Sequence, residues 1–122
     1  MLNFNSILVF SENPKKLSEF YKKVFQKDPE WSGGEYSGWK VGTGFFTVGP
    51  HSEVKGQSAN PQRIIVNFET DDVEGEFERI EKLGAKVIAK PYHPEEEEKM
   101  MLSTFADPDG NYFQLASPME LK

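Results

Sequence analysis

Arg63-Ile64-Ile65-Val66-Asn67-Phe68-Glu69-Thr70-Asp71-Asp72-Val73 opens the second half of this chain and repeats the plan of Asn5-Ser6-Ile7-Leu8-Val9-Phe10-Ser11-Glu12-Asn13-Pro14 near its start. Each stretch begins with an apolar, β-branched run that reads as a strand buried on both faces. Each then reaches a side chain suited to capping a helix, Asn13 in the first and Asp71-Asp72 in the second. Pro14 fits the first helical turn, where its missing N–H is not needed.

Beyond these stretches the two halves keep the same plan. After Pro14, Leu17, Phe20, Tyr21, Val24 and Phe25 recur at helical spacing, with Lys15, Lys16, Glu19, Lys22 and Lys23 on the wet side and Asp28-Pro29 as the expected stop. After Asp72, Val73, Phe77, Ile80 and Leu83 do the same, and Gly84 closes the helix. Glycines at 33, 34, 38, 42 and 44 then divide residues 30–48 into short extended pieces, a three-stranded antiparallel meander. In the second half the extended pieces are 86–92, 100–105 and 111–116. The last two are joined by the tight-turn sequence Asp107-Pro108-Asp109-Gly110-Asn111.

The order is therefore strand, helix and three strands, twice. The expected fold is α+β: two tandem βαβββ modules whose curved mixed sheets enclose a concave cavity. One domain is expected over residues 1–122, with module one at about 1–52, a polar linker at about 53–61 and module two at about 62–119.

Bulk composition bounds the function. Hydrophobic residues make up 37% and aromatics 13%, with ten Phe, which is enough for one core. A net charge of −6, from 20 acidic against 14 basic side chains, argues against nucleic acid as a partner. The absence of cysteine excludes disulfides, thiolate metal sites and cysteine nucleophiles, and it fits a cytoplasmic protein. No apolar run reaches the roughly 20 residues of a membrane helix, and Met1-Leu2-Asn3-Phe4-Asn5 shows no secretory pattern, so no membrane partner is expected.

With these pieces in order, the chain resembles the vicinal oxygen chelate superfamily: glyoxalase I, bleomycin-resistance proteins and extradiol dioxygenases. Three stretches carry the likeness. They are Ile7-Leu8-Val9-Phe10 with Asn13-Pro14 and Phe20-Tyr21-Lys22-Lys23-Val24-Phe25; Val66 to Val73 with Leu83-Gly84-Ala85; and Phe105-Ala106-Asp107-Pro108-Asp109-Gly110-Asn111-Tyr112-Phe113-Gln114-Leu115. The resemblance implies a homodimer whose halves pair within or across chains.

It also implies, for metal-dependent members, one His or Glu ligand near the start of each half and one in its final strand. Carried onto this chain, those positions fall on Ser6, on Ile65, among Phe45, Phe46 and Thr47, and on Gln114. None is a histidine or a carboxylate, and isoleucine cannot ligate. The expected cofactor is therefore none, with a divalent metal left open only through unconventional ligands.

Alternation along the strands supplies the candidate ligand-binding residues. If Ser6 faces the cavity, so do Leu8 and Phe10, while Ile7 and Val9 pack under the helix. Ile65, Asn67 and Glu69 then point inward from the second module's first strand, and Tyr112, Gln114 and Ala116 from its last. Asn67 and Gln114 are amides able to orient a ligand, or to bond each other or water. Among the aromatics Trp31, Tyr36, Trp39, Phe45 and Phe46, we take Trp39 and Phe46 as cavity lining; ordinary sheet packing is the competing reading. His51, at the end of the first meander, is taken as a rim residue, and His93 as a loop histidine. Glu95-Glu96-Glu97-Glu98 reads as a solvated loop. Catalytic residues are not assigned, since Ser6, Ser37, Thr43 and Ser103 have no evident base and Glu69 reads as an exposed strand-end carboxylate.

Three functions remain open. The favoured expectation is a metal-free member binding a small organic molecule in an aromatic-lined cavity, as in bleomycin-resistance proteins. The alternative is a divalent-metal-dependent lyase, isomerase or dioxygenase of the glyoxalase type with displaced ligands such as His51 and Gln114. A non-catalytic protein-interaction module is the third.

Overall fold

A computed structural model describes residues 1–118, so the expected end of the second module at 119 lies outside the described residues. The chain divides into two compact units, Met1–Gly56 and Gln57–Lys122. Each unit carries one four-stranded mixed sheet and one helix in tandem βαβββ order, the fold class expected from the repeat.

In the first unit, strand β1 (Ser6–Ser11) leads into helix α1 (Pro14–Phe25), followed by β2 (Trp31–Gly33), β3 (Tyr36–Val41) and β4 (Gly44–Pro50). The sheet order is β1-β4-β3-β2, with β1 and β4 parallel and the rest antiparallel. The crossover through α1 is what lets β1 pair in parallel. The second unit repeats this with β5 (Val66–Glu69), α2 (Val73–Lys82), β6 (Lys86–Tyr92), β7 (Leu102–Ala106) and β8 (Tyr112–Ala116), in the order β5-β8-β7-β6.

Both helices start by the same device. The Asn13 side chain accepts from the Lys16 amide at 3.3 Å, and Asp72 accepts from the Gly75 amide at 2.9 Å. Two residues upstream a hydroxyl braces each cap: Ser11 Oγ accepts from the Asn13 amide and Thr70 Oγ1 from the Asp72 amide. These bonds satisfy N–H groups that the first helical turn cannot.

Three of the boundaries that differ from expectation have a visible cause. Helix α1 stops at Gln26, not at Asp28-Pro29, because Gln26 adopts the left-handed conformation (φ 59°) and its N–H bonds the Lys22 carbonyl. Strand β5 covers only Val66–Glu69 of the apolar run that opens at Arg63, since the Arg63 amide is taken by the Asn60 carbonyl in a turn. The middle strand of the second meander is Leu102–Ala106, not 100–105, because the Met100 amide closes a turn onto the Glu97 carbonyl.

The left-handed Gln26 predicts a simple gain. A non-glycine residue there costs about 1–2 kcal/mol, and glycine's greater freedom in the unfolded chain offsets about 0.5–1 of the relief. Gln26→Gly should therefore raise the melting temperature by roughly 2–4 °C. Calorimetry checks this, and a lower melting point would show that the left-handed cap is unstrained.

The first core lies between α1 and one face of its sheet. Leu17, Tyr21 and Val24 are buried against Trp39, Phe46 and Val48. The Tyr21 and Phe46 rings are 4.6 Å apart, and Phe25 stands edge-on to both Phe46 and Trp39. Past the helix, the Lys27 carbonyl accepts from Trp39 Nε1 at 3.0 Å. The Lys27 ammonium bonds Glu30, and the Lys40 amide donates to the same carboxylate. Those two bonds, the Lys27 one first, hold the Glu30 carboxyl below its ordinary range. The second core stacks Phe77 on Phe105 and Phe105 on Phe113, with Phe68 beside them and Ile80 buried.

Candidate functional site

Because β1 pairs in parallel with β4, partners in register share a face. Ser6 lies beside Phe45, Leu8 beside Thr47 and Phe10 beside Gly49. The antiparallel strands extend these rows, Phe45 to Lys40 and Thr47 to Gly38 to Trp31. All of them belong to the face away from α1. The sequence alternation placed Ser6, Leu8 and Phe10 there, with Ile7 and Val9 on the other side.

This face is largely apolar and open in the chain: Leu8 is 56%, Trp31 52% and Phe45 41% exposed. Glycines form its floor. A Cβ on Gly38 would press on the Trp31 and Phe45 rings and on Thr47 Oγ1, and a Cβ on Gly49 would run into the Tyr36 ring. Trp31 and Tyr36 therefore lie across backbone, their ring centroids 6.4 Å apart and tilted by 51°. The result is an aromatic plate of Trp31, Tyr36 and Phe45, edged by Leu8 and Phe10. His51 stands edge-on to Phe10 at 5.2 Å, and its Nδ1 accepts from the Glu53 amide at 3.1 Å. In the neutral ring this leaves the proton on the exposed Nε2.

Trp39 and Phe46, taken as cavity lining from the sequence, belong instead to the core. Phe46 alternates with Phe45 and Thr47, so it faces Tyr21, and Trp39 pairs with Phe46 across β3 and β4. Trp39 is 0% exposed. The plate's aromatics are their neighbours of opposite parity, Phe45, and Trp31 and Tyr36 on the same sheet.

The second unit's sheet face away from α2 has a different chemistry and is partly covered, with Thr104, Ala106 and Ala116 buried. Asn67 lies beside Gln114, and Gln114 beside Thr104, so three polar side chains cross three adjacent strands in one row. Gln114 Nε2 donates to Thr104 Oγ1 at 3.1 Å. Tyr112 faces the same way opposite Ala106, and Glu69 opposite Ala116. Sequence reasoning missed Thr104. Counting equal steps back from the 107–111 turn pairs Thr104 with Gln114, so the signal was present.

The remaining candidates have structural surroundings. His93 Nδ1 donates to the Met100 carbonyl at 2.9 Å and ties the loop before β7. Ser103 is buried on the core side of β7, on the opposite face from Thr104, and its Oγ has no hydrogen-bond partner among the described residues. The residues 95–98 are exposed and folded into turns.

The metal positions implied by the resemblance can now be tested against the donors present. Ser6 is exposed beside Phe45, Ile65 precedes β5, Thr47 shares its row with Leu8, and Gln114 is engaged by Thr104. These are neutral or apolar groups, and they do not fit a divalent ion. Among the described residues no group of three or more His, Cys, Asp or Glu side chains could hold one. No described helix is long and apolar enough to cross a membrane.

Comparison with known proteins agrees with the architecture. The profile of a family described as glyoxalase-like domain matches residues 6–116. No curated protein matches the sequence. Among solved structures, a glyoxalase/bleomycin resistance protein/dioxygenase family enzyme from Burkholderia phytofirmans PsJN is 20% identical, with a TM-score of 0.75, covering 97% of this chain and all of the other. A glyoxalase-related enzyme from Fulvimarina pelagi is 15% identical with a TM-score of 0.78, over 97% of this chain and 89% of that one. A lactoylglutathione lyase from Agrobacterium tumefaciens is 17% identical with a TM-score of 0.74, over 96% and 94%.

Proposed function

The chain belongs to the glyoxalase-like domain family of the vicinal oxygen chelate superfamily, and on that premise we propose that it binds a small organic molecule without a metal ion. The observation that carries this reading is the aromatic plate. Trp31 and Phe45 expose about half of their surface on a face whose floor is backbone, and contiguous exposed apolar surface marks an interaction site. Flat rings favour a planar or extended apolar ligand, held by stacking rather than by chelation. The reading includes a cytoplasmic homodimer, as the family expectation has it, which sedimentation would report as about twice 13.9 kDa.

Two measurements test it. Calorimetric titration of Mn²⁺, Ni²⁺ and Zn²⁺ into protein freed of metal should give no site tighter than millimolar. One ion bound per chain at micromolar affinity would replace this reading with a metal enzyme using His51, His93 or Gln114. Prodan, a neutral naphthalene fluorophore, should bind with a blue-shifted emission. Trp31→Ala and Phe45→Ala should each weaken it about threefold to tenfold, the value of one aromatic contact. Undiminished binding by both variants would remove the plate as the site.

A further inference from the structure

We propose that the row Asn67–Gln114–Thr104 is a carboxamide-reading subsite, selecting ligands that carry an uncharged amide or lactam over those with a carboxylate. The inference rests on the ligand-binding reading above and gives the second unit's own sheet face a ligand chemistry.

Thr104 sits on the central strand β7 at 4% exposure, and its branched side chain has little rotamer freedom there. Its hydroxyl accepts from Gln114 Nε2 at 3.1 Å. An amide whose nitrogen is held on one side presents its oxygen on the other. Gln114 Oε1 makes no hydrogen bond among the described residues, and Asn67 is the neighbour of Gln114 on the adjacent strand. Asn67 is exposed, and its amide makes no hydrogen bond among the described residues. Adjacent strands are about 4.8 Å apart, so the two amide groups are close enough to meet one ligand group together.

With Gln114 Nε2 on the Thr104 hydroxyl, the row offers the acceptor Gln114 Oε1 next to the exposed amide of Asn67. A ligand carboxamide is the complement: its N–H donates to Gln114 Oε1 while its carbonyl accepts from Asn67 Nδ2. A carboxylate brings acceptors only and faces the Gln114 oxygen unfavourably. Glu69, two residues along β5 on the same face, adds like-charge repulsion. Thr104 acts through Gln114 and is a positioning residue.

Benzamide and benzoate differ in little but this feature and serve as probes. In ¹⁵N spectra of the full chain, benzamide should shift the side-chain NH₂ signals of Gln114 and Asn67 saturably, at least tenfold more tightly than benzoate. Thr104→Val, which removes the acceptor, should weaken benzamide about fivefold and bring benzoate closer to it, while Thr104→Ser should restore the discrimination. Equal binding of the two probes in the unaltered protein overturns the proposal, whatever the folding of the variants. Benzamide signals confined to Trp31 and Phe45 also overturn it but leave the ligand-binding reading standing. No perturbation of either sheet face by benzamide, benzoate or prodan overturns both.

Discussion

Trp39→Ala should remove about 4 kcal/mol of stability, whereas Trp31→Ala should remove less than about 1. Loss of a buried large aromatic costs about 3–5 kcal/mol, through both the lost transfer energy and the cavity left behind. Trp39 is fully buried, stands 5.5 Å from the Phe25 ring and satisfies the Lys27 carbonyl through Nε1. Its removal opens a void between α1 and β3 and leaves that carbonyl without its donor. Against a typical domain stability of about 5–15 kcal/mol, the first unit would be close to unfolding. Trp31 lies on the surface of its sheet, 52% exposed, so its loss leaves the core intact. Urea denaturation followed by far-ultraviolet circular dichroism separates the two, and equal losses would contradict the assignment of the two faces.

Asp107→Ala should cost about 3 kcal/mol. The carboxylate is buried and accepts from the Asp109 amide at 2.9 Å, from the Asn111 amide at 3.0 Å and from Asn111 Nδ2 at 2.9 Å. Hydrogen bonds to a charged group are worth about 1.5–3 kcal/mol net, and the donors left behind have few other partners. This turn sets the register by which Thr104 reaches Gln114, so the variant should also lose the difference between benzamide and benzoate. Thermal melting and the probe titration check the two consequences separately. A melting temperature within 2 °C of the parent would show that water replaces the carboxylate.

The duplication was legible because it rests on local rules: a capping side chain after a β-branched run, then glycine-punctuated strands. The face assignment of β1 and β8 was equally legible, since alternation needs only a starting parity. What failed was parity in β3 and β4. Trp39 and Phe46 stand among aromatics of both parities, and a run such as Phe45-Phe46 gives no hydrophobic contrast to decide which ring goes inward. Only the register with Ser6 and Ile7 settles it. Likewise the stop of α1 at Gln26 was hidden, because a left-handed cap on a non-glycine residue has no composition signal. Thr104 was missed for a different reason: its importance is a cross-strand distance, visible only once the hairpin is counted closed.

The glycine floor has a consequence for anyone seeking to retune the protein. Gly38 and Gly49 are where the plate is thinnest, and any larger residue at 49 occupies the space of the Tyr36 ring, while one at 38 crowds Trp31 and Phe45. Sequence variation can therefore reshape the surface from above but not from beneath. A selection library that randomises positions 31, 36 and 45 samples different ligand shapes on an intact sheet. One that also opens positions 38 and 49 spends most of its members on chains whose rings have been displaced.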